Sequence, residues 1–168
     1  MPLHPYRGTC HCGAVSFTAL LDLTTTRTSK CNCSICAKTR AWEVTLPAKN
    51  FTLHLPPAGN KTSPSRAGGD RDGEADKPAV KESDLVTDYT FPPHRAHHLF
   101  CKKCGVRAFG RVDSWPGFED VEGGWVSVSI SCLDGVSDEV LEELSERVVY
   151  RNGREGKFKE GPERRGFL

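Results

Sequence analysis

Short stretches in which every second residue is apolar run through much of this chain, and such alternation builds strands with one buried face. Val15, Phe17 and Ala19 alternate with Ser16 and Thr18. Trp42, Val44 and Leu46 share one side of residues 41–46, and Phe51, Leu53 and Leu55 mark a further short strand. After residues 85–91, the segments 106–112 and 125–130 (Trp-Val-Ser-Val-Ser-Ile) alternate as core strands do. Helical spacing stands out once, from Ser137 to about Val148, where Val140, Leu141, Leu144 and Val148 form one stripe. Ser137 can cap that helix, and Asp138 and Glu139 suit its positive end. The pattern predicts a mainly β domain with a short C-terminal helix.

Between these elements the composition changes. Residues 21–30 are polar and threonine-rich, read as a connection or a short edge strand. Residues 56–84 hold almost no large apolar side chain, so they cannot offset the entropy of ordering them, and a mobile surface insertion is expected there. Residues 114–124 read as a loop, and the basic, glycine-rich stretch from Arg151 onward as a solvated terminus. A chain of 168 residues suits one domain over 1–168, with residues 137–168 as its helix and tail.

Charge narrows the function classes. The 23 basic and 22 acidic residues leave a formal charge of +1, so no net field draws the chain to nucleic acid or to a membrane surface. No apolar run approaches the roughly 20 residues that span a bilayer, and Met1–Tyr6 lack the apolar stretch of a leader peptide. A soluble, cytoplasmic protein is the expectation.

The eight cysteines then carry the chemistry. They sit in tight clusters, a spacing that strains disulfides and suits a thiophilic metal. Cys10 and Cys12 precede Gly13, and Cys101 and Cys104 precede Gly105. A glycine after the second thiol lets the backbone turn its amides toward the sulfurs. Two such turns look like halves of one closed, four-cysteine zinc site. Cys31, Cys33 and Cys36 make three thiols on one short loop, with no glycine after them. Structural zinc takes four ligands, and catalytic zinc three plus an open position. The fourth ligand of this second site has four candidates in Cys132, His97, His98 and His11. Cys132 reads better as a buried apolar residue, whereas His98, three residues before Cys101, is a ligand or acid–base candidate. Lys38 and Arg40 follow the triplet and could offset its charge or hold a substrate carboxylate.

Gly8-Thr-Cys-His-Cys-Gly13, Cys31-Asn-Cys-Ser-Ile-Cys36, Phe100-Cys-Lys-Lys-Cys-Gly105 and Cys132-Leu-Asp-Gly135 together resemble the glutathione-dependent formaldehyde-activating enzymes, whose domain is shared with centromere protein V. The resemblance covers about residues 7–135. It implies antiparallel β-sheets of the β-tent type found in Rab-interacting nucleotide-release factors. It also implies structural zinc on Cys10, Cys12, Cys101 and Cys104, and catalytic zinc on Cys31, Cys33 and Cys36, two Zn2+ per chain. The implied reaction is that of a carbon–sulfur lyase joining glutathione and formaldehyde to S-hydroxymethylglutathione, so the implied partners are a small thiol and an aldehyde. A lyase or dehydratase on a larger metabolite, and a non-catalytic zinc domain that binds a protein, are the alternatives.

Overall fold

The computed structural model describes residues 2–55, 81–113, 121 and 123–166. It is mainly β, with two sheets face to face. The small sheet is antiparallel, with β1 (His4–Thr9) beside β2 (Ser16–Leu21) and β2 beside β5 (Phe51–His54). The large sheet has seven strands. From one edge these are β10 (Val148–Arg151), β3 (Thr28–Cys31), β4 (Glu43–Pro47), β9 (Trp125–Ser129), β8 (Arg107–Val112), β7 (Ala96–Cys101) and β6 (Val86–Tyr89). All neighbours pair antiparallel except β10 and β3, which run parallel. Three helices complete the described residues, α1 (Ser34–Thr39), α2 (Glu82–Leu85) and α3 (Asp138–Glu146), besides short 3-10 turns.

Period two divides the large sheet into two unlike faces. One rung carries Val44, Val128, Phe109 and Leu99, all buried. This face packs on the small sheet through three rings, with Phe51 4.9 Å from Phe109 and 5.3 Å from Phe17 between centroids. Each ring so buried contributes about 2 kcal/mol, so the sheets are joined mainly by apolar contact. The neighbouring rung carries Thr45, Ser127, Gly110, His98 and Tyr89, with Glu43 and Ser129 one rung on. That face is polar, yet Ser127 and His98 are buried.

Several expectations are corrected. Residues 28–30, within the stretch read as a connection or a short edge strand, join Cys31 in β3, which is an interior strand rather than an edge one. Thr28 fixes it, its hydroxyl receiving the Trp42 indole N–H at 2.7 Å and donating to the Leu144 carbonyl. The helix ends at Glu146 and Val148 opens β10; Ser137 stands at the N-cap position without a side-chain capping bond. The tail is no solvated terminus at its start, since Asn152 and the turn after it fold back on β3. Most of the insertion, 56–80, and most of the 114–124 loop lie outside the described residues. Residues 82–84 belong to α2, where Asp84 accepts the Lys81 N–H and Glu82 grips Arg111 through two bonds of 2.7 Å. No described helix is long and apolar enough to cross a membrane.

Candidate metal centres

The first cluster joins the β1–β2 turn to the end of β7. The sulfurs of Cys10, Cys12, Cys101 and Cys104 all lie within 4.8 Å of one another. Cys10 and Cys12 are 3.6 Å apart and Cys12 and Cys101 3.7 Å. Four sulfurs about 2.3 Å from one zinc stand about 3.8 Å apart along a tetrahedron's edges, so the spacing fits the metal. Gly13 and Gly105 take φ of 72° and 74°, and each returns its N–H to the carbonyl of its turn's first cysteine, at 2.9 and 2.8 Å. The Val15 amide lies 3.3 Å from the Cys10 sulfur. Burial pushes the Cys101 thiol up to about 12. Burial acts in the same sense on Cys104, but the amides of Val106 and Cys12 and the neighbouring thiols outweigh it and bring that thiol down to about 6. A cation replacing the shared protons is what such a set accommodates.

The second cluster sits where β3 gives way to α1. Cys31 ends the strand, Cys33 is the N-cap of the helix and Cys36 lies in its first turn. Their sulfurs also lie within 4.8 Å of one another, and no fourth cysteine, histidine or carboxylate among the described residues joins them at that spacing. Hydrogen bonds from the Cys31 and Cys36 thiols, then from the amides of Cys36 and Ile35, hold Cys33 well below the usual thiol range. Cys36 is pushed up by those same two thiols, by burial and by the charge of Glu43. One thiolate shared among three sulfurs is a donor set for a soft cation.

The C-terminal segment holds this loop in place. β10 lies parallel to β3 in register, with Arg151 opposite Cys31, and the Arg151 carbonyl receives the Asn32 N–H at 3.1 Å. The Asn32 side-chain amide donates to the Asn152 side-chain oxygen at 2.9 Å, and its own oxygen accepts the Arg154 N–H at 2.8 Å. Both asparagines are buried. Gly153 rests so close that a Cβ there would stand 2.4 Å from the Cys31 sulfur. Sequence reasoning missed these residues; the Asn-Gly pair was the available turn signal.

The other predicted residues fall out as follows. Cys132 is buried, its thiol raised by desolvation, and its sulfur joins neither cluster. His97 is taken by Asp88 at 2.6 Å and Asp113 at 3.4 Å. His11 and Lys38 are exposed, and Arg40 caps α1 with φ of 50°. His98 is different. It is 5 % exposed, stacks on Phe91 at 5.6 Å, and neither ring nitrogen has a hydrogen-bond partner among the described residues. Burial, then the charge of Arg107, push it down to about 4, against an opposing pull from Cys33. Arg107 was overlooked. It forms a buried pair with Glu43 through Nη1, and its Nε, also buried, has no partner among the described residues.

No family model matches the chain. A crystal structure of a Rhodobacter sphaeroides protein, a structural-genomics target, is similar over 80 % of this chain and 94 % of that one, with TM-score 0.53 and 24 % identity. At that identity the likeness bears on the fold.

Proposed function

We propose that the protein is a zinc-dependent carbon–sulfur lyase acting on thiol adducts, with glutathione and formaldehyde as the pair joined to S-hydroxymethylglutathione. The observation that carries this is the second cluster, in which three thiols converge with no fourth protein ligand among the described residues. Zinc held there would supply a Lewis acid with one open position, receptive to a thiol or to a carbonyl oxygen. Cys31, Cys33 and Cys36 would hold it, and the Asn32–Asn152 bond keeps their loop from opening. In the forward direction the thiol sulfur bonds to the carbonyl carbon, the C=O π pair moves to oxygen, and the thiol's proton ends on that oxygen. The reverse breaks the C–S bond and returns the proton to sulfur. His98, buried and under the charge of Cys33, would act as the acid–base group of the same site.

Exchange NMR on glutathione and formaldehyde tests the proposal, with Cys36→Ala as control. Acceleration by the wild type and none by the variant is expected. No acceleration from a chain carrying two zincs would overturn it in favour of a zinc domain without this chemistry.

A further inference from the structure

Beside the three thiols lies a second set of groups that the metal count does not use. Glu43, Ser129, Ser127, Gly110 and His98 occupy the polar face of four adjacent strands, β4, β9, β8 and β7. Gly110 is the direct partner of both His98 and Ser127. A Cβ at Gly110 would stand 3.0 Å from the Ser127 hydroxyl and 3.1 Å from Nη2 of Arg107. Nη2 of Arg107 therefore lies close to Gly110, the direct cross-strand partner of His98. Glu43 holds Nη1, and its charge reaches Cys36 while that of Cys33 reaches His98.

Within this packed layer, three nitrogens lack partners among the described residues: Nε of Arg107 and both ring nitrogens of His98. Leaving a buried donor unpaired costs about 1–3 kcal/mol, more when it is charged, and folded proteins rarely tolerate several together. A cleft of about 310 Å3 beside the end of α1 is lined by Arg40, Phe100, Arg107 and Ser129 among others.

We infer that Arg107 and His98 form a receptor for one oxygen atom of the substrate, the carbonyl oxygen of a small aldehyde, with Glu43 fixing the guanidinium that presents it. This rests on the proposed lyase reading for the identity of the oxygen, though not for the existence of the receptor. A guanidinium N–H and an imidazole N–H donated to one acceptor would suit an oxygen that gains negative charge as sulfur adds to its carbon. An Arg held by a carboxylate has less conformational freedom to lose on binding than a free one.

Formate, the smallest oxygen acceptor of this shape, is the probe. It is titrated into the zinc-loaded full-length chain labelled with 15N, with the Arg107 Nε–H and the His98 ring nitrogens followed by NMR. Both should move along one saturating curve. Glu43→Gln should weaken formate about tenfold, and Arg107→Lys and His98→Phe should each remove saturation while two zincs per chain and the wild-type circular dichroism are kept. Arg107→Lys should also slow thiol–aldehyde exchange about a hundredfold. Unmoved signals at about 0.1 M formate would overturn the inference, and so would formate binding that survives both substitutions, as uptake by the metal alone would. Wild-type exchange rates in Arg107→Lys and His98→Phe would overturn it while leaving the lyase reading intact. Saturation at these groups without any exchange catalysis would uphold the receptor and remove the lyase reading.

Discussion

At the scale of single residues, the second candidate metal site depends on a side chain that is absent. Gly153 passes Cys31 so closely that a methyl group would displace the sulfur or the segment, with Cys33 Cβ at 3.0 Å and the Phe158 ring at 3.1 Å closing the other directions. Its φ lies outside the left-handed region, so the constraint is one of space. Gly153→Ala should leave the fold intact, because the main core lies on the far face of the sheet, and should weaken metal at the triplet by at least tenfold, the effect expected of altering a group that orients the ligands. Elemental analysis would then find the metal content falling from two per chain toward one under mild chelation. Retention of two under the same conditions would show that the segment adapts.

At the scale of elements, strands and thiol turns were legible because their signals are local. Alternation predicts β2, β4, β5, β8 and β9 within a residue or two, and Cys-x-Cys-Gly with Cys-x-x-Cys-Gly states its own chemistry. What sequence hid is non-local. β3 is polar and short, and its interior position follows from a parallel strand some 120 residues later. That strand in turn was masked by a basic segment that resembles a tail. Arg107 and Glu43 were read as members of alternating strands, and only the folded structure shows them paired. The β6–β7–β8 edge offers a test at this scale. Asp88 on β6, then Asp113, raise His97 on β7 above its ordinary 6.5. A histidine raised by folding stabilises fully below about pH 6.5 and loses that contribution as pH rises through the raised value. The pair is half exposed, so the effect should be roughly a few tenths of a kcal/mol. Histidine NMR should show His97 titrating above 6.5 in the wild type and lower in Asp88→Asn than in the wild type, and identical curves would mean that the Asp88 contact is not made in solution.

At the scale of the whole molecule, the two clusters differ in what they hold together. Cys10 and Cys12 belong to the small sheet's turn, Cys101 and Cys104 to the large sheet, and 89 residues separate Cys12 from Cys101. A structural zinc held by four thiolates contributes on the order of 10 kcal/mol, comparable with the whole stability of a domain of this size. The triplet spans only Cys31 to Cys36 and closes no long loop, so the fold should survive its loss. Cys12→Ser should therefore abolish the cooperative thermal transition or leave the chain insoluble. Cys33→Ser should melt cooperatively, within roughly 5 °C of the wild type, with one zinc per chain. Circular dichroism melts with metal analysis on both variants decide the matter. Equal damage from the two substitutions would make the triplet a second staple, and the open position proposed for catalysis would lose its physical basis. Damage confined to Cys12→Ser would separate a cluster that holds the sheets together from one free to exchange ligands.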